Sequence, residues 1–261
     1  MDRYGRWNAL LEILAEEGRI TVEDAAEQLD VSQATIRRDF DQLAQQQMIT
    51  RTRGGAVANT VSYDLPLRYK SAKHVGEKQR VGQAAAAMVT PGLVVGMNGG
   101  TTTTEVARAL ATRPDLVGNT DGSALTIVTN ALNIANELIV RPHVKIVVTG
   151  GVIRPQSFEL IGPLATGVLR ELTLDIAFLG VNAVDVALGA AAHHEGEAAI
   201  NGLMAARARR VVVLADSSKL GKHAFARICP IDRIHTLITD SGASDEVIST
   251  FTEIGVDVVR V

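Results

Sequence analysis

From about residue 76 onward, the chain alternates short, continuous apolar runs with alanine-rich stretches of helical character. The runs are LVVGM (93–97), LTIVT (125–129), VKIVVTG (144–150), DIAFLGV (175–181), RVVVLAD (210–216) and HTLIT (235–239), with VDVVRV at the end of the sequence. Strands that are apolar at every position, rather than at alternate positions, are typically buried on both faces. We therefore predict a doubly wound α/β domain, in which helices cover both sides of a parallel sheet.

Residues 1–58 differ from this pattern, because they contain three short helical segments and no long apolar run. The first helix is expected over 6–17, and the second extends to about Leu29. Thr21 and Ser32 are residue types that cap helix N-termini, and each stands where a new helix is expected to begin. The spacing predicts a small helical domain ahead of the α/β domain.

The third helical segment has Ile36, Phe40 and Leu43 at helical spacing, which predicts that this stripe faces a core. Three short helices with a tight turn before the last are typical of a helix-turn-helix, whose last helix enters the major groove with its N-terminus first. The following MITRTRGGAV alternates enough to form a short β-hairpin, the wing of a winged variant. This region is therefore interpreted as a winged helix-turn-helix.

Charge distinguishes a DNA-binding module from a plain helical bundle. The formal net charge of −3 excludes a globally basic protein, and residues 1–31 hold three basic and eight acidic residues. Residues 32–58 instead hold four arginines and two acids, and phosphate contacts supply much of the affinity for DNA. The predicted contacts to double-stranded operator DNA are Ser32, Gln33, Thr35, Arg37, Arg38, Arg51 and Arg53. The alternative is a three-helix interaction domain in which the arginine pair is a solvated face.

Residues 59–75 lack periodicity and contain Pro66, so they are predicted to link the domains 1–58 and 76–261. A single cysteine, Cys229, allows neither an internal disulfide nor a cysteine-based zinc site. The N-terminus does not have the pattern of a signal peptide, and no apolar run approaches the roughly 18 residues of a membrane span. We expect a soluble cytoplasmic protein without membrane contacts.

The segment MNGGTTTTEVARAL places two glycines and four threonines between a predicted strand and a predicted helix. Glycines let the backbone approach a ligand, and the free N–H groups of a helix start favour anions. The segment lacks the GK[ST] of a P-loop and the G-x-G-x-x-G of a dinucleotide site, which favours a small phosphate ester. Lys219, Asn130 and Gly151 also follow strand ends, so we expect them at the same sheet edge. Each could equally be an ordinary loop residue.

The string LDVSQATIRRDFDQLAQQQMITRTRGGAV resembles the signature of the DeoR family of bacterial transcriptional regulators. The resemblance continues through GGTTTT (99–104), TN (129–130), GG-x-x-R (150–154), GP (162–163), D-x-AF-x-G (175–180) and ADSSK-x-G (215–221). It implies a sugar-phosphate sensing domain similar to the ribose-5-phosphate isomerase fold. The implied effector-binding residues are Asn98, Gly99, Gly100, Thr101, Thr102, Thr103, Asn130, Gly151, Arg154, Asp175, His193 and Lys219.

Two positions depart from the family pattern. Most members carry an acid before the glycines, where this chain has Asn98, an amide that cannot act as a base. Many members are threonine-rich after Gly189, where this chain reads AAAHHEGEA. His193, His194, Glu195 and Glu197 suggest a metal site at first sight, but we expect solvated or hydrogen-bonded groups and no metal or cofactor. If these residues act, they contact the sugar end of the effector.

The leading hypothesis is a repressor of carbohydrate genes that a phosphorylated sugar releases from DNA, and not an enzyme. The rival is a sugar-phosphate isomerase with an accessory domain, in which Asp175 or Asp216 serves as base. A third reading is an adaptor that binds protein through its third helix. A single helix-turn-helix reads few bases, so we expect a homodimer or homotetramer.

Overall fold

A computed structural model describes residues 3–45, 48–58, 74–117 and 124–261. The chain forms two compact units, Met1–Ala72 and Lys73–Val261. Of the predicted linker, residues 59–73 lie outside the described residues. Its last two positions belong to a helix instead, since His74 is the N-cap and Val75 the first residue. Glu77 in the first turn favours this start, because an acid there complements the helix dipole.

The N-terminal unit contains the predicted three helices and hairpin. Its elements are α1 (Arg3–Glu17), β1 (Arg19–Thr21), α2 (Val22–Gln28), α3 (Gln33–Gln45), β2 (Ile49–Thr52) and β3 (Gly55–Ala58). The three strands form an antiparallel sheet in the order β1-β3-β2. Strand β1 was not predicted, because three residues are too few to show a period. The winged helix-turn-helix prediction is confirmed.

Both predicted N-caps of this unit are present. Thr21 Oγ1 accepts a hydrogen bond from the Asp24 N–H at 3.1 Å, and Ser32 Oγ accepts one from the Thr35 N–H at 3.2 Å. The core contains the predicted stripe of Ile36, Phe40 and Leu43, each 0% exposed. It is completed by Trp7, Leu10, Leu11, Leu14, Ile20, Val22, Ala25, Met48, Ile49 and Ala56.

The C-terminal unit alternates strands and helices along its length. Its helices are α4 (Val75–Ala87), α5 (Thr101–Ala111), α6 (Pro114–Val117), α7 (Leu132–Leu138), α8 (Pro163–Arg170), α9 (Glu195–Arg207) and α10 (Asp245–Glu253). Its strands are β4 (Val94–Met97), β5 (Leu125–Thr129), β6 (Val144–Val148), β7 (Val152–Arg154), β8 (Glu159–Ile161), β9 (Leu174–Gly180), β10 (Ala183–Asp185), β11 (Gly189–Ala192), β12 (Ala208–Leu214), β13 (Ala226–Cys229), β14 (Thr236–Thr239) and β15 (Asp257–Arg260). Among the described helices of the whole chain, none is both long and apolar enough to cross a membrane.

Seven strands form one sheet in the order β15-β14-β12-β9-β4-β5-β6, and every neighbouring pair is parallel. Alternate residues of β9 belong to different cores: Ala177 and Leu179 pack on one face, Ile176 and Phe178 on the other. Buried residues of α8, α9 and α10 cover the first face, and those of α4, α5 and α7 cover the second. The prediction of a doubly wound α/β domain is confirmed.

The strand order reverses at the centre of this sheet. Strands β4, β5 and β6 follow one another outward on one side, and β9, β12, β14 and β15 follow one another outward on the other. In open α/β sheets, the crevice at such a reversal, outside the carboxyl ends of the strands, is where ligands bind. The carboxyl ends of β4 and β9 therefore mark the expected site. Smaller antiparallel sheets, β7-β8 and β10-β11-β13, complete the unit.

Candidate functional site

Helix α3 of the N-terminal unit has a polar, exposed side in its first half. Gln33, Arg37 and Arg38 are exposed, whereas the apolar stripe of the same helix is buried. Arg37 Nη2 donates a hydrogen bond to Gln33 Oε1 at 3.1 Å, one turn earlier. Both arginines thus lie on the side of the helix that faces away from the core, as a recognition helix requires.

Ser32 and Thr35 first serve the helix itself. Ser32 Oγ lies 2.9 Å from Thr35 Oγ1, in addition to accepting the Thr35 N–H. Ser32 is exposed and Thr35 half-buried, so both hydroxyls lie at the N-terminal end of α3. They fix the position of that end of the helix, where the Ser32 side chain is exposed to solvent.

The two arginines of the wing differ in their surroundings. Arg51 is half-buried: its Nε lies 3.1 Å from Asp41 Oδ1, and its guanidinium carbon lies 5.5 Å from the centroid of the Phe40 ring. Arg53, at the turn between β2 and β3, is exposed. The sequence pattern predicted the same role, DNA contact, for both residues. In the structure, Arg51 packs against the N-terminal unit, whereas Arg53 is exposed to solvent.

Asp39 is the acid of the TIRRD string, and its role was not predicted. It is 3% exposed, and its carboxylate accepts hydrogen bonds from Trp7 Nε1 at 2.8 Å and Arg6 Nε at 2.5 Å. The carboxylate therefore joins α3 to α1 from inside the unit. This contact fixes the angle at which α3 presents its arginines, although Asp39 itself does not face outward.

In the C-terminal unit, the loop after β4 leads directly into α5 at the strand reversal. Gly100 precedes the helix, and the N–H groups of Thr101, Thr102 and Thr103 are the first of α5. The first N–H groups of a helix have no partner within it, so they are available to an anion. We call Gly99–Thr103 the anion cradle.

The threonine hydroxyls of α5 are not used alike. Thr103 Oγ1 and Thr104 Oγ1 donate back to the Gly100 carbonyl oxygen at 3.0 and 2.7 Å. Thr102 Oγ1 is buried and has no hydrogen-bond partner in the structure. Because a buried hydroxyl without a partner is costly, Thr102 is the threonine that the geometry leaves for a ligand.

Asn98 joins the two central strands. Its Oδ1 accepts the Gly180 N–H at 2.8 Å, and its Nδ2 donates to the Gly180 carbonyl oxygen at 2.9 Å. Asn98 is 1% exposed. The amide supplies a donor to the carbonyl oxygen and an acceptor to the N–H of the same residue, which explains physically why an amide suits this position. Asn98 thus fixes the crevice at its centre.

A buried polar cluster adjoins the cradle. We call Asn130, Arg154, Glu159, Glu197 and Asn201 the carboxylate–amide cluster; each is less than one-tenth exposed. Glu159 Oε1 accepts the Gly99 N–H at 2.7 Å. The contact is so close that a Cβ on Gly99 would lie 2.5 Å from Glu159 Cγ, and only glycine therefore fits there.

Three further contacts hold this cluster together. Arg154 Nη1 donates to Glu197 Oε1 at 3.1 Å. Asn201 Nδ2 lies 3.4 Å from Glu159 Oε2, and Asn130 Nδ2 donates to Asn201 Oδ1 at 3.3 Å. Asn130 Oδ1 is buried and without a hydrogen-bond partner. The cluster thus has unused acceptor capacity directly beside the cradle.

Two lysines lie near Asp216, which follows β12 at the carboxyl edge of the sheet. Lys219 ends the 3-10 turn after β12, and its Nζ lies 3.5 Å from Asp216 Oδ2. Burial opposes ionisation of Asp216, but the charges of Lys219, His74 and Lys78 and a hydrogen bond from Ser218 together lower the pKa of this carboxyl. Asp216 is therefore a carboxylate at the carboxyl edge of the sheet, and positively charged side chains surround it.

Lys78 was not predicted, because it lies in an alanine-rich helix outside any motif. It is 5% exposed in the first turn of α4. One turn later, Gly82 packs on Glu105 and Val106 of the parallel helix α5. Lys78 is therefore level with the first turn of α5, and its charge acts on Asp216.

Comparison with known protein families identifies the family of this chain. Residues 6–62 match the model of the DeoR-like helix-turn-helix domain, and residues 73–241 match that of the DeoR C terminal sensor domain. The chain belongs to the DeoR family of transcriptional regulators. In DeoR-family terms, the N-terminal unit is the DNA-binding domain and the C-terminal unit is the sensor domain.

Curated relatives of this DeoR-family chain align over almost its whole length. The putative aga operon transcriptional repressor of Escherichia coli O157:H7 is 32% identical over 98% of this chain and 93% of the relative. The glycerol-3-phosphate regulon repressor of Escherichia coli K12 is 29% identical, and the alignment covers 97% of each chain.

Solved structures give more distant matches. The sorbitol operon regulator SorC of Klebsiella pneumoniae is 13% identical, with a TM-score of 0.40, over 96% of this chain and 99% of the other. Ribose 5-phosphate isomerase A of Methanocaldococcus jannaschii is 21% identical, with the same TM-score, over 54% of this chain and 52% of the other.

One predicted sensor residue lies in the wrong place. Asp175 is the second residue of β9, and its Oδ2 accepts the N–H of Val94, the first residue of β4. It therefore lies at the amino edge of the sheet, whereas the cradle lies at the carboxyl edge. The run DIAFLGV already puts Asp175 at the start of its strand, so the error arose because the residues of the family motif were assigned to the site as a set. Asp175 is not part of the site.

Other residues of the DeoR-family sensor that the sequence singled out make contacts within the domain. Gly151 has φ +121° and packs so tightly that a Cβ would lie 2.8 Å from Ala165 Cβ. The His193 N–H donates to Asn182 Oδ1 at 3.0 Å, and His194 is the N-cap of α9. Within the described ranges, no group of three or more His, Cys, Asp and Glu residues could hold a metal ion.

Glu159 is a buried acid of the sensor domain with a shifted pKa. Burial is the largest cause, and the neighbouring charge of Glu197 adds to it, so that the pKa of Glu159 is raised well above its usual range. Hydrogen bonds from Gly99, Asn201 and Asn130 oppose this shift without cancelling it. Glu159 therefore keeps its proton to a higher pH in the folded than in the unfolded chain.

This shift predicts how stability changes with pH. The folded state binds more protons than the unfolded state above the ordinary glutamate pKa of about 4.3, so the free energy of unfolding falls as the pH rises through the raised pKa of Glu159. We expect Glu159→Gln to remove this fall, as measured by urea denaturation followed by circular dichroism between about pH 5 and pH 8. The exposed Glu195→Gln should retain it. If the free energy of unfolding depends on pH in the same way in the parent and in Glu159→Gln, the pKa of Glu159 is not raised.

Proposed function

We propose that this protein is a cytoplasmic repressor of carbohydrate-metabolism genes, and that a phosphorylated sugar releases it from double-stranded operator DNA. The observation that carries the proposal is the position of the anion cradle, with the first N–H groups of α5 at the strand reversal and two lysines at the same sheet edge. Supporting it, relatives of similar length are named repressors of an aga operon and of a glycerol-3-phosphate regulon.

The phosphate requirement follows from the chemistry of the cradle. A phosphate dianion leaving water needs oriented N–H donors and a positive counter-charge. The N–H groups of Thr101, Thr102 and Thr103 supply the donors, and Lys219 together with Lys78 supplies the counter-charge. An unphosphorylated sugar would leave both unused, so it should release DNA poorly.

Release depends on a difference in affinity between two states of the protein. A phosphorylated sugar shifts the population only if it binds the DNA-incompetent state more tightly. One helix-turn-helix reads few bases, which favours a homodimer or homotetramer as the binding species. Light scattering of the purified protein measures the assembly directly.

We expect Lys219→Ala to raise the concentration of sugar phosphate needed for operator release by about tenfold or more, because charge-assisted contacts contribute about 1.5–3 kcal/mol. Operator affinity without the sugar should stay unchanged. Fluorescence anisotropy of labelled operator DNA, titrated with a panel of sugar phosphates, measures both quantities. Lys222→Ala, which removes an exposed lysine three residues later, is the matched control.

Three results would overturn the proposal. If Lys219→Ala and the parent release the operator at the same concentration of sugar phosphate, Lys219 is not part of the site. If the unphosphorylated sugar releases the operator at the same concentration, the anion cradle does not bind the phosphate of the effector. Sustained conversion of a sugar phosphate by the purified protein would favour the isomerase alternative, which we consider disfavoured because Asn98 stands at the crevice where a carboxylate base would be required.

A further inference from the structure

Residues 146–169 of the sensor domain form a stretch of surface without an exposed charge. Its two charged residues, Arg154 and Glu159, are each less than one-tenth exposed. The ten exposed residues of the stretch are all apolar, glycine or proline: Val148, Gly150, Val152, Ile153, Pro155, Phe158, Pro163, Leu164, Gly167 and Val168. Charged residues make up 21% of the chain and are mostly exposed in proteins, whereas the centre of a protein interface is depleted of them. The stretch therefore has the composition of an interface.

Helix α8, within this stretch, is apolar on two sides. Ala165 and Leu169 are fully buried in the core of the domain. Leu164 and Val168 are one helical turn apart on another side, and they are 75% and 38% exposed. A helix that is apolar all round is typically covered all round. The outward side of α8 is therefore expected to be covered by a partner.

Gly167 belongs to the same outward side of α8. It is exposed, its φ is not positive, and a Cβ there would have no atom within 4 Å. Neither the backbone conformation nor a neighbouring residue requires glycine at this position, although glycine weakens the interior of a helix. On a helix surface, a glycine allows another backbone to approach closely. Gly167 is thus suited to a helix that packs against a partner.

The start of β7 extends the outward side of α8. Gly151 packs on the first turn of the helix, where its Cβ would lie 2.8 Å from Ala165 Cβ. The next residue, Val152, is 62% exposed and pairs with Ile161, which stands two residues before α8. An apolar side chain of β7 is therefore exposed next to the helix. We call the following residues the α8 surface: Val152, Leu164, Gly167 and Val168.

The exposed apolar area is sufficient for a stable dimer. Six of the twelve large apolar side chains that are exposed in the described part of the chain lie between 148 and 168, and together they expose roughly 500 Å². An interface of standard size buries about 800 Å² per partner, and about 65% of a homodimer interface, roughly 500 Å², is apolar. Exposed Lys145 and Arg170, immediately outside the stretch, supply charged residues for a polar rim.

We propose that the α8 surface is the interface through which two copies of this chain form a symmetric dimer, with the two α8 helices facing each other across the twofold axis. This inference rests on the proposed function, because a repressor with one helix-turn-helix per chain needs a second copy to read both halves of an operator. A twofold axis brings the residues at its centre close to their own copies, so a charge there would meet a like charge. A surface without charge avoids this repulsion, which favours a second copy as the partner.

Sedimentation equilibrium of the full-length protein tests the proposal with Leu164→Glu. An acid in the first turn complements the N-terminus of α8, so we expect this variant to fold, as circular dichroism can verify. In the dimer, the two glutamates would face each other, and like charges at an interface are strongly unfavourable. We therefore expect the dissociation constant of the dimer to rise about 100-fold or more. Phe225→Glu, which adds the same charge at a side chain that is 80% exposed outside the stretch, should leave this constant unchanged.

A mixture of two variants tests the twofold arrangement. Leu164→Lys should weaken the dimer for the same reason as Leu164→Glu, because each variant places like charges at the axis. An equimolar mixture of the two places opposite charges there. We expect the mixture to dimerise at a concentration about tenfold or more below that needed by either variant alone.

Three results would overturn this inference: a parent protein that stays monomeric, a Leu164→Glu variant that assembles like the parent, and a mixture that dimerises no better than its components. In the first two cases the α8 surface is covered by a different partner, and in the third the two copies of Leu164 do not face each other. None of these results bears on the anion cradle. If the parent dimerises as expected but no sugar phosphate releases the operator, the proposed function fails and the interface stands.

Discussion

Replacing Arg37 and Arg38 together with alanine should weaken operator binding by about 30-fold or more. Each arginine that reaches a base edge contributes about 1–3 kcal/mol, and any lost phosphate contact also makes the dependence of affinity on salt shallower. Both side chains lie on the exposed side of α3, off its buried stripe, so folding should not change. Fluorescence anisotropy with operator DNA at several salt concentrations measures affinity and salt slope together.

The sensor domain offers a matched control for this pair. Arg209 and Arg210 are also adjacent and exposed, so their replacement by alanine removes the same charge from the other unit. We expect this variant to bind the operator within about threefold of the parent, because both arginines belong to the sensor domain rather than to the helix-turn-helix domain. If the Arg37/Arg38 variant binds as well as the control, α3 is not the recognition helix.

The second large effect is expected at Asp39. Asp39→Ala removes a buried acceptor from the Trp7 indole and the Arg6 guanidinium, and breaking a buried, hydrogen-bonded ion pair costs about 3–5 kcal/mol. For a unit of this size, such a loss lowers Tm by about 12 °C or more. Trp7 is the single tryptophan of the chain, so its fluorescence reports unfolding of the DNA-binding unit specifically.

Asp41→Ala is the control for this measurement. Asp41 is an exposed acid on the same helix, paired with Arg51 at the surface, and surface ion pairs contribute about 0–1 kcal/mol. We expect its melting curve to lie within a few degrees of the parent. Similar melting of the Asp39 and Asp41 variants would show that the internal contact does not hold α3 to α1.

The sequence patterns predicted what depends on local periodicity. Continuous apolar runs predicted the seven strands of the parallel sheet, because strands of a sheet covered by helices on both faces are apolar at consecutive positions. Thr21 and Ser32 were predicted as caps, since an N-cap depends on residues that are close in sequence. The stripe of α3 was likewise predicted, because it repeats within a single helix.

Residues whose roles come from distant contacts were missed. Glu159 lies in a three-residue strand, and its burial results from Gly99 and Asn201, which are far from it in sequence. Lys78 is buried because α4 packs on α5. No local pattern records these contacts.

The position of Lys78 has a consequence for communication between the two domains. Helix α4 is the first described element after the segment that joins the sensor domain to the DNA-binding domain, and Lys78 lies in its first turn. Under the proposed function, a phosphate in the anion cradle would attract this ammonium group, and the attraction would act on the first turn of α4. Allosteric coupling in this chain can therefore start at the tether itself, without passing first through the central sheet.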